Sequence, residues 1–469
     1  MRNLIPLVLL CAATIRLTAA EPFQDVTEAV GLKEYSGGVA AWGDFDNDGW
    51  TDLYSGGKLW RNDGGKRFVR VENAPLAGPG IWGDFDNDGF LDLFSWAGEG
   101  RLFRSQHGKG FEDVGEGFPK LPTTVSLGAT WGDLNGDGFI DLYVGGYEVW
   151  PSKEYPDVML LNEKGERFVE HWRQDRILRA RGITAADFDE DGDLDVYVSN
   201  YRLQPNRLLQ NDGKGDVTDV AAEFGTAGDG GLGAWGHTIG SAWGDFDNDG
   251  RFDLFVGNFS HPPQYQDRPK FLRNLGPEGK FHFADQSETA GLRWQESYAS
   301  PALADFDNDG HLDLFFTTVY SGDRSVLYRN LGGWRFEEVS TSAKVDMPTT
   351  YQAAWADFDG DGYLDLVTGG RLFRNPGGKN HWLKVRLVGG GKVNAAAIGA
   401  QVRIKLGDKM LTRQVEGATG QGNQNDLTLH FGLGSHAEPV SAEIRWPNGT
   451  KQQVETEIDR TLTVEFAPQ

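Results

Sequence analysis

The sequence predicts an all-β protein: a seven-bladed β-propeller followed by a small, immunoglobulin-like β-sandwich. Three observations carry that prediction. An aspartate-rich stretch of nine residues recurs seven times in order. Each copy is followed by apolar runs at strand spacing and a Gly-rich turn. The last ~90 residues drop the repeat but keep short strands separated by turn signals.

The copies are DFDNDGWTD from Asp44, DFDNDGFLD from Asp84, DLNGDGFID from Asp133, DFDEDGDLD from Asp187, DFDNDGRFD from Asp245, DFDNDGHLD from Asp305 and DFDGDGYLD from Asp357. They are spaced by 40, 49, 54, 58, 60 and 52 residues. A segment such as GVAAWGD or IGSAWGD precedes each cluster, and a run such as DLYVGG or DLFVGN follows it. Next comes a pattern such as KLWRNDGGKRFVRV or VLYRNLGGWRFEEV, which reads as two strands joined by a tight turn. Each unit thus supplies four strands with the aspartate loop between the first two, and four-strand units at this period describe propeller blades. The seventh unit stops at RLFRNPGGKN, one strand short. The segment PFQDVTEAVGL, ahead of the first unit, resembles the missing strand and is expected to close the ring. Glycine, 64 residues or about 14% against a usual ~7%, fits the many tight turns.

The first residues, MRNLIPLVLLCAATIRLTAA, carry Arg2, a short apolar run and small residues before Glu21, the pattern of a secretory signal spanning 1–20. The run is too short to span a bilayer and Arg16 interrupts it. Export would remove Cys11, the only cysteine, so disulfides are not expected to hold the fold. The propeller is assigned to 21–377 and the sandwich to 378–469, with PGGKN from Pro376 as a hinge and Asn448-Gly449 as a hairpin turn. Acidic residues exceed basic ones by 69 to 45, which argues against nucleic-acid and anionic-membrane partners. No later stretch is apolar enough to cross a bilayer, so no integral membrane segment is expected after signal cleavage.

The spacing D-x-D-x-D-G-x-x-D places oxygens at positions 1, 3, 5 and 9, with the main-chain carbonyl of position 7 turned inward and glycine at position 6 for the sharp bend. The expected ligands are therefore Asp44, Asp46, Asp48, Trp50 and Asp52; Asp84, Asp86, Asp88, Phe90 and Asp92; and Asp133, Asn135, Asp137, Phe139 and Asp141. They continue with Asp187, Asp189, Asp191, Asp193 and Asp195; Asp245, Asp247, Asp249, Arg251 and Asp253; Asp305, Asp307, Asp309, His311 and Asp313; and Asp357, Asp359, Asp361, Tyr363 and Asp365. An all-oxygen set favours Ca²⁺ over zinc or copper. An EF-hand is excluded, because position 12 lacks glutamate and a strand follows. Up to seven Ca²⁺ ions, mainly structural, would take the formal charge of the processed chain from −26 to −12. Trp42, Trp82, Trp131, Trp243 and Trp355 each lie two residues ahead of a cluster, a recurrence that suits packing between blades.

These DFDNDG loops resemble the FG-GAP/VCBS repeats of integrin-α-like propellers. NHWLKVRLVGGGKVNAAAIGAQVRIKLG, HFGLG and IRWPNGTKQQV near the C-terminus resemble the ASPIC and UnbV domain. Together they resemble the acidic cartilage protein family and its secreted bacterial relatives. The resemblance implies calcium binding and an extracytoplasmic location, secreted, periplasmic or on the cell surface, and lends no catalytic residue.

In such a propeller the loops joining strands 2 and 3, and the connections between blades, lie opposite the aspartate loops, and nearly all the length variation falls on that face. Recognition usually sits on variable loops of a rigid scaffold. The insertions nominate Trp150, Tyr155, Tyr201, Trp235, His237, His261, Tyr265 and Tyr320 as contacts for an extracellular glycan or protein. Two function classes stay open. One is a non-catalytic binding or adhesion module. The other is a calcium-dependent polysaccharide lyase or hydrolase using His237, His261 or Arg181, although no catalytic constellation is apparent.

Overall fold

The computed structural model describes residues 22–230, 235–260 and 267–467; the leader, His261 and Tyr265 lie outside them. Seven four-stranded antiparallel sheets follow one another along the chain. In the fifth blade the strands run His237–Gly244, Asp253–Phe259, Lys270–Asn274 and Phe283–Asp285. Burial falls along that order in every blade. Inner strands such as Ala40–Gly43 and second strands such as Asp52–Ser55 are buried throughout, whereas outer strands such as Phe68–Arg70 bury only one residue. Short two-faced apolar runs therefore belong near the axis, and alternating ones at the rim.

The ring closes as the sequence anticipates. Gln24–Asp25 pairs antiparallel with Arg371–Arg374, adding the fourth strand to the blade that starts at Ala353–Ala356. Inner strands of successive blades touch in a closed circuit. The five tryptophans fill the seams between blades: Trp82 donates from Nε1 to the Ala41 carbonyl at 3.3 Å and stacks beside Phe45 of the preceding blade. A second seam joins the position-2 phenylalanine, which six of the seven loops carry, to an outer-strand phenylalanine of the next blade. Examples are Phe45 with Phe111, Phe246 with Phe336 and, across the closure, Phe306 with Phe23 and Phe358 with Phe68.

The C-terminal strands form the expected two-sheet sandwich. One sheet holds Leu429–Gly434, His381–Val388 and Thr461–Glu465; the other holds Lys409–Gln414, Gln401–Leu406, Val440–Arg445 and Lys451–Thr456. The Asn448-Gly449 turn is present, with Gly449 at φ +78°. The PGGKN segment is not a free hinge. Tyr363 donates to the Asn380 carbonyl at 2.9 Å, and Asn380 Nδ2 donates to the Asp307 carbonyl at 2.8 Å.

The sandwich sits on the face that carries the aspartate loops, and its segment 415–426 enters the axial channel. There it pairs main-chain groups that the inner strands would otherwise leave unmatched. Gln424 exchanges backbone hydrogen bonds with Ala40 and Trp42, and its side-chain amide bonds both main-chain groups of Trp82. Gly420 does the same with Ser241, and Asn425 accepts from Trp355 N at 2.9 Å. The tip is tight: a Cβ on Gly240 would lie 2.7 Å from the Gly420 carbonyl carbon. Gly240→Ala should therefore unseat the tip at a cost of about 1–3 kcal/mol, the scale of an overpacked core. A thermal melt should fall by several degrees, and an unchanged melt would refute this seating.

Candidate metal centres and the opposite channel mouth

The nine-residue loops share one backbone. Glycine at position 6 lies between φ +86° and +100° in all seven, where a side chain would be strained. Position 4, occupied by Asn47, Asn87, Gly136, Glu190, Asn248, Asn308 and Gly360, is also left-handed, a conformation Asn and Gly tolerate best. The asparagines do more than allow the bend. Asn47 Nδ2 donates to the Gly89 carbonyl at 2.8 Å, Asn87 to Gly138, Asn248 to Gly310 and Asn308 to Gly362, tying each loop to the next.

Main-chain N–H groups gather the carboxylates. In the first loop Asp44 accepts from Asp48 N and Gly49 N at 3.0 and 3.1 Å, and Asp48 accepts from Trp50 N at 2.9 Å. The position-9 carboxylate is a buried bracket. Asp52 accepts from Phe45 N at 3.1 Å and from Asn62 N at 2.7 Å, and the same pair of bonds recurs at Asp313 and Asp365.

After these bonds one set of oxygens is left over. Oδ1 of Asp46, Asp86, Asp189, Asp247 and Asp307, all at position 3, is buried with no hydrogen-bond donor, as is Oδ1 of Asp187 and Asp357 at position 1. In at least five loops, three carboxylates bring oxygens within 4.8 Å of one another, as with Asp84, Asp86 and Asp92 or Asp305, Asp307 and Asp313. Burial, with the neighbouring carboxylates adding to it, pushes Asp84 and Asp187 up to about 7, so these clusters resist ionisation while no cation is among them. Buried, donorless, all-oxygen clusters are what a hard cation satisfies.

Part of the charge is balanced from within. The third strand ends in Arg-Asn in most blades, and that arginine reaches the other oxygen of position 3. Arg104 meets Asp86 at 2.8 Å, Arg273 meets Asp247 at 2.8 Å and Arg329 meets Asp307 at 2.6 Å, while Gln210 donates to Asp189 in the fourth blade. In the third blade both partners are neutral, with Asn135 at position 3 and Leu161 in place of the arginine. The following asparagine is a stitch between blades. Asn330 Nδ2 donates to the Phe246 carbonyl of the preceding loop at 2.9 Å and to the Leu312 carbonyl of its own at 3.0 Å. Asn62, Asn162, Asn211, Asn274 and Asn375 repeat this around the ring, and Ser105 replaces it in the second blade. The recurring Arg-Asn dipeptide was the available signal for both roles, but on its own it reads only as the edge of a hairpin.

Comparison with known proteins agrees. The FG-GAP-like repeat family matches residues 44–95, 84–144, 187–256, 245–316 and 305–368, more than half of the chain. The chain belongs to the FG-GAP-like repeat family. The ASPIC and UnbV family matches residues 390–468, which lie in the sandwich. Cartilage acidic protein 1 of Xenopus tropicalis is 30% identical over 308 residues, covering 61% of this chain and 45% of the relative. The Homo sapiens protein is 30% identical over 292 residues, covering 57% and 41%. The chain thus spans less than half the length of these relatives. An Agrocybe aegerita lectin described as recognising non-reducing terminal N-acetylglucosamine is similar in fold at 16% identity, with a TM-score of 0.42, covering 71% of this chain and 85% of the lectin.

The sandwich touches all seven FG-GAP loops. Arg386 bonds Asp44 and Asn47 at 3.0 and 2.8 Å, Ala395 N donates to Asn87 Oδ1, Lys392 lies against Gly138, and Arg403 pairs with Glu190 at 2.7 Å. Met410 N donates to the Asn248 carbonyl, Gly432 N to Asp305 Oδ2, and Lys384 Nζ to Asp357 Oδ2 at 2.5 Å. Arg413 is half-buried, and its charge acts on Asp305 and Asp245. The aspartate face is therefore an internal interface of this FG-GAP protein.

At the opposite mouth the structure sorts the eight nominated residues. Tyr201, His237 and Tyr320 come together with Arg181, Tyr147 and Phe259. Tyr201 lies 4.6 Å from the His237 ring, Phe259 lies 5.3 Å from Tyr320, and the Arg181 guanidinium sits 4.2 Å over Tyr201 and 5.2 Å over Tyr147. Burial pushes Tyr320 up to about 12 and also raises Tyr201, so both phenols stay neutral hydrogen-bonding groups. Trp150 is 66% exposed, with Arg202 4.5 Å over its ring. Tyr155 is instead buried, its hydroxyl accepting from Thr124 at 2.7 Å, and Trp235 packs against the core between the fourth and fifth blades. Both are spent on packing, because their loops fold back onto the blades. His261 and Tyr265 lie outside the described residues. Tyr147 went unremarked in the sequence because only the fold carries it to Arg181.

Two measurements test the FG-GAP loops. At ~1 mM calcium, a site with Kd near 10⁻⁴ M stabilises the folded chain by roughly 1.4 kcal/mol, so several sites together approach a domain's whole stability. Excess EGTA should lower the melting temperature markedly, and a melt unmoved by EGTA would refute cation binding at the loops. Asn330→Ala should cost about 1–3 kcal/mol by leaving two buried carbonyls unmatched. Its melt should drop by several degrees with calcium present, and parity with the parent chain would show that the stitch is idle.

Proposed function

We propose that this chain is a secreted calcium-binding protein without catalytic activity, which recognises an extracellular glycan or protein through the channel mouth opposite its metal loops. The observation that carries the reading is the cluster of Tyr147, Arg181, Tyr201, His237 and Tyr320 at that mouth, with Trp150 exposed beside it. Half-exposed aromatic faces around a cation suit the edges and faces of sugars or of a protein loop. The other mouth is filled by the protein's own sandwich.

The ion we assign to the loops is Ca²⁺, held by the carboxylates at positions 1, 3, 5 and 9, by Asn135 in the third loop, and by the position-7 carbonyl. The supporting facts are the all-oxygen donor set and the buried, donorless position-3 oxygens. A secreted setting fits millimolar calcium. Among the described residues no helix is long and apolar enough to cross a membrane. The rival reading, a calcium-dependent polysaccharide lyase or hydrolase, has in its favour that His237 and Arg181 share one mouth, giving a base and a cation at one place.

One screen separates the two. The calcium-loaded processed chain is applied to immobilised polysaccharides and matrix proteins, with retention and cleavage both scored. Retention without cleavage is expected, and replacing Trp150 and Tyr320 together by alanine should weaken it about tenfold or more while the melt holds. Cleavage that disappears in His237→Ala would replace the binding reading by the enzyme. Retention indifferent to the aromatic pair would place recognition elsewhere.

A further inference from the structure

Resting on the binding reading above, we infer that the mouth takes an acidic polysaccharide, and that Arg181 holds the carboxylate of a uronic-acid residue. Arg181 stands at the start of the fourth blade's inner strand, Ala180–Ala186, at the end remote from the aspartate loop. Its neighbours are matched: Arg179 pairs with Glu148 and Glu154, and Arg202 with Glu148. Arg181 is not. No carboxylate among the described residues comes within ion-pairing reach of it, although acidic residues outnumber basic ones by 69 to 45. Its Nε is buried and donates to nothing among the described residues, while Nη2 donates to the Tyr147 hydroxyl at 3.2 Å.

The geometry restricts what can answer that vacancy in hydrogen bonding. Tyr201 lies against the guanidinium at 4.2 Å and Tyr147 at 5.2 Å, and with Nη2 on the Tyr147 hydroxyl the remaining N–H groups along its edge are left for a partner. An edge-on guanidinium matches a planar carboxylate, which takes two parallel N–H bonds. The strand that carries Arg181 is seated on the inserted segment. Gly182, the next residue in the strand, is in close contact with the Gly420 carbonyl at the tip of the inserted segment, and Gly240 is packed on the same tip. The surroundings favour a sugar over an acidic peptide. Tyr201, Tyr320 and the exposed Trp150 offer ring faces on which a pyranose packs, and the neutral phenols supply hydroxyl partners.

The test is calorimetry on the calcium-loaded processed chain. The probes are short uronate oligomers built from galacturonate, glucuronate, mannuronate and guluronate, their methyl esters, neutral oligosaccharides of equal length, and hexaglutamate. At least one uronate oligomer should bind, and its ester should bind at least tenfold more weakly. Arg181→Gln should lose about tenfold or more in affinity, the scale of one charge-assisted hydrogen bond, and Arg181→Lys should fall between, with melting temperatures unchanged in both. Uronate binding that survives Arg181→Gln, or that is equal for acid and ester, overturns the inference. So does hexaglutamate bound more tightly than every uronate. Neutral sugars bound with no uronate preference would sink the inference and leave the binding reading standing, whereas retention of no glycan or matrix protein would sink that reading too.

Discussion

The fold depends on holding carboxylates together that repel one another. Two of them about 4 Å apart at an effective dielectric of 20 cost roughly 4 kcal/mol, and each loop gathers several in a partly buried turn. Three opposing contributions are built in. Backbone N–H groups converge on positions 1, 5 and 9 because glycine at position 6 turns the chain back on itself. An arginine from the third strand takes one oxygen of position 3. The second oxygen is left without a donor, as the proposed cation would require. The third blade acts as an internal control: where position 3 is the uncharged Asn135, the opposing residue is the uncharged Leu161. In the fourth blade Asp189 keeps its charge and is met by the Gln210 amide, so there a neutral donor takes the arginine's place.

The same loops set the blade order. Four loops are bonded forward through a position-4 asparagine and six backward through the asparagine that ends a third strand, so every seam is crossed at loop level and three are crossed twice. Below that level the seams are aromatic. Near the axis the inner strands meet a different constraint, since their inward edges have no further strand to pair with. The 415–426 segment meets it with backbone and amide groups, which explains why that segment is rich in Gly, Gln and Asn rather than apolar residues. Glycine is needed where main chain meets main chain, as at Gly420 against Gly182 and Gly240.

What could be read in the sequence follows the range of each interaction. The loops, four-strand units, strap closure by Gln24–Asp25 and the sandwich strands rest on local pattern, and each is found in the structure. The stitches are not local: Asn330 bonds a carbonyl 84 residues away, and Arg386 bonds Asp44 across 342 residues. A single sequence gives no hint of such pairs, so Arg-Asn read as part of a turn and PGGKN as a hinge. The mouth shows the same limit in another form. Tyr155 and Tyr201 are equally plausible as letters in insertions, and only burial tells them apart, one enclosed and the other set against Arg181 and His237.

The two faces are joined by one domain. The sandwich grips the metal loops through Arg386, Lys384 and Arg403, and the segment it sends down the channel ends against the strand residue next to Arg181. Packed interiors transmit displacement poorly by bending and well by rigid contact. If the loops hold the proposed cations, a loop that loses its cation would slacken the seat of the sandwich, and with it the floor on which the mouth is built. The aspartate loops on one face are thus linked through the sandwich to the aromatic mouth on the other, although none of their carboxylates comes near it.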